Sequence, residues 1–362
     1  MPDNQNSPKA PKVSVVVISY NQEKFIKQAL DGFVKQKTNF DFEVIIGDDG
    51  STDKTQAIIK RYADSHPETI KPILRQNNIG ALPNFVDVLG RTKGKYLAIC
   101  EGDDYWTDPK KLQLQADFLD SHSDYALCFH PVRVVFENNE QPSYIFPGKR
   151  DQLKFSIEEL LANNFIQTNS VMYRRQPDLT VPANIIPDDW YLHVYHAQSG
   201  KIGFINKVMS TYRRHKDGMW WGSHSNREEI WKKYGIDHTR LFLEFKKLFP
   251  EPRLQKIIDR NLYKMLSNLI GTDLNQKTSL YKEAQTKFPN STVSYAIDTY
   301  QKTENLEQEN NRLTESAKKL EKEVKNERGL RLKLEAQIDS MKSSRFWKLR
   351  NLVARIIGKE VI

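Results

Sequence analysis

The chain has 362 residues, of which 38% are hydrophobic and 28% charged, with a formal net charge of +9 and a mean hydropathy of −0.66. That is more than one compact core needs, so two or three units are expected, at least one of them strongly polar. Cys100 and Cys128 exclude a disulfide framework and predict buried thiols in a reducing compartment, while residues 1–11 lack the apolar stretch of a secretion signal and no run is long enough to cross a membrane.

Residues 1–11 are expected to be disordered. Val13–Ser19 is a continuous β-branched run, the pattern of a strand buried on both faces, and Phe25, Ile26, Leu30 and Phe33 follow at helical spacing. Phe42–Gly47 predicts a second strand. Ser51–Ala63 predicts a helix capped by Ser51 or Thr52. Ile70–Leu74 reads as a strand, Leu82–Gly90 as a helix and Lys95–Cys100 as another strand. This alternation predicts an α/β domain with a mostly parallel sheet, whose ligands bind beyond the carboxyl ends of the strands. Farther on, Tyr125–Phe136, Asn169–Tyr173 and Lys201–Tyr212 look like strands, and Trp190–Ser199 like a helix. Amphipathic helices are expected from Arg227 to Lys287.

Between Thr303 and Met341 the pattern becomes heptad. Leu306, Leu313, Leu320, Glu327, Leu334 and Met341 fall at d, and Asn310, Ala317, Val324, Arg331 and Ile338 at a. Very polar flanking positions favour a self-associating coiled coil over a helix folded back on its own domain. The last segment sets Phe346, Trp347, Leu349, Leu352, Val353, Ile356 and Ile357 at helical spacing among Lys342, Arg345, Lys348, Arg350, Arg355 and Lys359. Such a basic amphipathic helix suits an anionic membrane surface; a docking helix for a protein partner is the alternative.

Polar clusters close each of the first four strands. They are Ser19-Tyr20-Asn21, then Asp48-Asp49-Gly50-Ser51, then Arg75 with Asn78-Ile79-Gly80, and finally Glu101-Gly102-Asp103-Asp104. Three acids at the end of an apolar strand repel one another. Two readings are open for them: a divalent-cation site completed by a substrate diphosphate, or a solvated turn before a helix beginning near Thr107-Asp108-Pro109.

In this order the motifs resemble the nucleotide-sugar half of family 2 glycosyltransferases, which have the GT-A fold, and the resemblance covers about Lys12 to His215. It implies a mixed, mostly parallel sheet flanked by helices, with Ser19, Tyr20, Asn21, Asp49 and Arg75 on the nucleotide. Glu101-Gly102-Asp103 stands where the family has Asp-x-Asp, making Asp103 the implied ligand for Mn²⁺ or Mg²⁺. Glu101 departs from the pattern, and both it and Asp104 are placed beside the nucleotide sugar. Asp189, ahead of the neighbouring Asp188, fits the catalytic base that opens a helix; a plain N-cap is the alternative. Tyr212-Arg213-Arg214-His215 resembles the closing motif, with Arg214 on the diphosphate and His215 on the metal. Asn169 and Ser170 fall where acceptor-side loops are expected.

The resulting expectation is a GT-A domain at 12–222, a helical subdomain at 223–300, a coiled coil at 301–342 and a membrane-associating helix at 343–362. Its implied function is metal-dependent inverting transfer from a nucleotide-diphospho-sugar, with UDP favoured, to a hydroxyl of a glycan or lipid-linked glycan in cell-surface polysaccharide synthesis of the O-antigen or capsule type. The expected location is cytoplasmic, peripheral on the inner face of the membrane, as a homo-oligomer. A scaffold protein with a degenerate transferase domain is the competing reading. A nucleic-acid binder is disfavoured, since acids fill the presumed cleft and no recognition motif interleaves the basic residues.

Overall fold

A computed structural model describes residues 10–137, 140–148, 155–218, 227–271 and 292–356. The chain divides into two compact units, Met1–Lys287 and Phe288–Ile362.

The first unit is built on a seven-stranded sheet. In chain order its first elements are β1 (Val13–Ser19), α1 (Ile26–Val34), β2 (Phe42–Asp48), α2 (Thr55–Ser65), β3 (Ile70–Leu74), α3 (Ala81–Gly90) and β4 (Tyr96–Ile99). There follow β5 (Tyr105–Trp106), α4 (Lys111–Ser121), β6 (Tyr125–Phe129), β7 (Val132–Phe136), β8 (Tyr144–Phe146), α5 (Ile157–Ala162), β9 (Met172–Arg174), α6 (Asp188–Ala197), β10 (Lys201–Phe204) and β11 (Ser210–Arg214). The sheet order is β10-β6-β9-β4-β1-β2-β3, with β9 antiparallel to both neighbours and the other pairs parallel. β1, β2 and β3 step outward in one direction, and α3 then returns the chain to the other side of β1. Strand order therefore reverses between β1 and β4, the position where α/β sheets open a crevice for ligands.

The core is dense where the apolar pattern is strongest. Val13, Val15 and Val17 of β1, Val44 and Ile46 of β2, and Leu30 and Phe33 of α1 are sealed from solvent, and Phe33 meets Trp106 edge-on at 4.9 Å. Both cysteines are buried free thiols.

Four expectations about elements and their boundaries change. The run Tyr125–Phe136 is two strands in different sheets, as is Lys201–Tyr212, because β5, β11, β7 and β8 form a second sheet in that order. Ser51 and Thr52 do not cap α2. Asp53 does the bonding there, accepting from Thr55 N and from Glu23 N, while Ser51 is drawn toward Asp48. Asn169 and Ser170 sit in a 3-10 turn (Thr168–Ser170), ahead of β9.

Helices α7 (Arg227–Leu248) and α8 (Pro252–Gly271) pack against α6 and α5, so they extend the first unit. The second unit holds α9 (Thr292–Ser343), a 52-residue helix, and α10 (Arg345–Ile356), parted at Ser344. Ile357 and Lys359 lie outside the described residues, as do residues 1–9 and 272–291.

Candidate active site

Strand ends deliver the site. Ser19 and Tyr20 leave β1, Asp49 leaves β2, Glu101 and Asp103 leave the β4 end, Arg214 and His215 close β11, and Asp189 opens α6. All eight line one cavity of about 710 Å³. Its other walls include Asn78 and Leu82 on the β3–α3 side, Thr168, and the apolar segment Ile185-Ile186-Pro187.

The β4 loop can approach β1 this closely because residue 102 is glycine. A Cβ there would collide with Gln22, Ile26 and Ser19. Beyond that glycine the three acids crowd together, with ligand-capable atoms within 4.8 Å of one another. Burial and mutual repulsion push Glu101 well above the ordinary carboxylate range, with Asp103 the strongest repelling charge, and push Asp104 up for the same reasons. The three are not equivalent. Both Asp104 oxygens are engaged inside the protein, by Asn169 Nδ2 at 2.8 Å and Arg213 N at 2.8 Å. Asp103 Oδ2 lies 3.0 Å from His215 Nε2, and its Oδ1 is buried without a hydrogen-bond donor. A divalent cation fits this set: it would satisfy Asp103 Oδ1 and relieve the repulsion on Glu101.

Asp189 is held at the first turn of α6. Its Oδ1 accepts from Trp190 N at 2.7 Å and its Oδ2 from the Thr168 hydroxyl at 2.8 Å. Burial raises its pKa, and raises that of Asp188 to about 6 with help from the Asp189 charge. Behind Asp189, His193 Nε2 lies 3.8 Å from Oδ2, and the His193 Nδ1 meets the Tyr173 hydroxyl at 2.6 Å.

Several of the expected nucleotide contacts also have partners within the protein. Arg75 lies outside the cavity lining, paired with Asp87 at 2.5 Å and bonded to Asn84. Asn21, at φ +52°, is also outside it; its side chain accepts from Thr52 N and its own N–H donates to Ser51 Oγ. Asp49 lines the cavity while accepting from Ile79 N and Gly80 N, which ties the β2 loop to the β3 loop. Asp48 gathers Ser19, Ser51 and Gln56 and is fully buried.

Tyr212 and Arg213 belong to the closing motif named from the sequence, which assigned neither of them a separate role. The Arg213 guanidinium lies over Phe25 and Tyr105 and donates to the Asp103 carbonyl, clamping the acid loop to β11. Tyr212 lines the cavity, its phenol pushed up by burial and by the Asp104 charge. Only their place beside Arg214 marks them in the sequence.

Residues 14–179 match the family model described as Glycosyl transferase family 2. This stretch is similar to family 2 glycosyltransferase domains. Rv1520 of Mycobacterium tuberculosis is 52% identical over 224 residues, covering 62% of this chain and 64% of its own. The chain thus spans a little under two thirds of that relative. TuaG of Bacillus subtilis, named for teichuronic acid biosynthesis, is 34% identical over 109 residues, 30% of this chain and 42% of that protein. Among solved structures, the mannosyltransferase PcManGT of Pyrobaculum calidifontis, in complex with GDP-Man and Mn²⁺, aligns with a TM-score of 0.53. It is 17% identical, over 81% of this chain and 80% of that one, a likeness that establishes the GT-A fold.

Proposed function

We propose that this protein is a metal-dependent inverting glycosyltransferase that moves a sugar from a nucleotide-diphospho-sugar to a hydroxyl of a glycan or lipid-linked glycan. The observation that carries the reading is the convergence of Asp103, with its unsatisfied buried oxygen, and Asp189 on one cavity. Asp103, with Glu101 and His215 beside it, would hold Mn²⁺ or Mg²⁺, which when bound neutralises charge on a diphosphate leaving group. Ser19, Tyr20 and Asp49 line the part of the cavity nearest the β1 and β2 ends, where the nucleotide is assigned. Arg214, which also lines the cavity, would meet diphosphate oxygens.

Asp189 is the base. As the acceptor oxygen attacks the anomeric carbon, its proton passes to the Asp189 carboxylate, and the bond to the nucleoside diphosphate breaks with its electron pair. One displacement inverts the anomeric centre. Thr168 and Trp190 N fix the carboxylate orientation, and burial keeps its basicity above that of a free aspartate.

TuaG, and the basic amphipathic character of α10, support a cell-surface polysaccharide acceptor handled at the inner membrane face. On α10, Phe346 is 82% exposed, and no described helix is long and apolar enough to cross a membrane. The test is a panel of nucleotide sugars, scored for nucleoside diphosphate release with and without Mn²⁺. Asp103→Ala and Asp189→Asn are each expected to lower turnover by about 10²-fold or more. Wild-type rates in both variants would remove the enzymatic reading.

A further inference from the structure

α9 is one continuous helix of 52 residues, about 78 Å long at a rise of about 1.5 Å per residue. Leu306, Leu313, Leu320, Leu334 and Ile338, all on its heptad seam, are 48–66% exposed. Helices in water take most of their stability from packing an apolar face, so this seam calls for a cover. We propose that the cover is α9 of a second copy, in a parallel, in-register, two-stranded coiled coil whose register is fixed by Glu327 of each chain against the partner's Arg331.

Strand number follows from side-chain shape. β-branched Val324 and Ile338 at a, with Leu313, Leu320 and Leu334 at d, favour two strands, and a single Asn at a, here Asn310, does the same. Register follows from the polar break. Glu327 at d and Arg331 at the next a occupy adjacent core layers, so in-register parallel pairing faces each with its own copy and sets each carboxylate one layer from the partner's guanidinium, where the cross-layer attraction offsets the two like-charge layers. Slipping by one heptad would bury both charges against apolar layers, which is strongly unfavourable. Outside the core, Glu323 at g faces the partner's Arg328 at e, another attractive pair.

An antiparallel alignment that rejoins Glu327 with Arg331 sets Leu313 against Arg345 and Asn310 against Lys348, past the break at Ser344. Parallel pairing instead stacks every seam leucine on its own counterpart. In the single chain Arg331 Nε reaches Glu335 at 3.1 Å, an exposed contact that costs little to exchange.

The experiment uses the full chain and no catalytic readout, so it stands or falls independently of the proposed activity. Light scattering should give the mass of two chains, and Leu320→Glu with Leu334→Glu should give one. Leu313→Cys and Met341→Cys should each form an interchain disulfide on mild oxidation, the native cysteines being buried. Glu327→Arg and Arg331→Glu should each weaken association about tenfold or more, and the double exchange should restore it to within about threefold. A monomer, a trimer, no disulfide at either position, or a double exchange no better than the singles would overturn the proposal.

Discussion

Asn169 offers the sharpest test of how the acid loop is supported. It is fully buried; its Nδ2 donates to Asp104 Oδ2 at 2.8 Å and to Thr211 O at 3.0 Å, while its Oδ1 accepts from Ser210 Oγ at 2.9 Å. Asn169→Ala removes one charge-assisted and two neutral hydrogen bonds. At about 1.5–3 kcal/mol for the first and about 1 kcal/mol for each of the others, the gross loss is about 4 kcal/mol. Asp104 keeps the Arg213 amide, and a water entering the polar gap recovers part of the rest, so about 3 kcal/mol is expected. Urea unfolding of the full chain, followed by tryptophan fluorescence, measures it. Asn169→Asp is the volume-matched control: a second carboxylate facing Asp104 should destabilise at least as much at pH 7, and acidification should recover it. A cost below about 1 kcal/mol for alanine, or an aspartate variant as stable as wild type, would refute the bracing role.

Three further outcomes are expected. The Asp188 pKa rises from 3.8 in the unfolded chain to about 6 in the fold, so the folded state holds that proton more tightly and stability falls as pH rises from about 4 to about 6; Asp188→Asn should flatten that fall in a melting series. Lys111 is buried beneath the Trp106 ring at 4.2 Å, bonded to Gln115, with its pKa lowered from 10.5 to about 7. Its burial penalty is complete below pH 7 and fades toward pH 10.5, so Lys111→Met should raise stability at pH 6–7 and erase the gain wild type shows on alkalinisation. Deleting Lys342–Ile362 should abolish sedimentation with vesicles rich in anionic lipid; unchanged binding would refute the membrane role of α10.

Legibility of the sequence tracked periodicity. β1, β2, β3 and α1 were readable because valines, isoleucines and phenylalanines recur at the spacing of a buried strand or a helix stripe. From strand order alone, the clusters at Ser19, Asp49 and Glu101 could be placed on one edge, and the cavity joins them there. What pattern reading could not supply was the division of labour among like residues. Asp103 and Asp104 are neighbours of one type, yet one has a bare oxygen and the other is bonded at both because Asn169 arrives from a turn 65 residues on. The pairing of Arg75 with Asp87 on α3 is likewise invisible to a local pattern. The split of Lys201–Tyr212 into two strands belongs to the second sheet, a long-range pairing that no local window contains.

If α10 meets a membrane as proposed, the short interruption at Ser344 would set the geometry of that contact. Two α9 helices side by side in the same direction would carry both copies of α10 to one end, and the break frees each to turn its Phe346, Leu349 and Leu352 face away from the coil axis. Once one tail is inserted, the other sits at an effective concentration on the order of millimolar beside the same leaflet. Retention at the bilayer would then depend steeply on protein concentration, weak for a lone chain and strong for the pair.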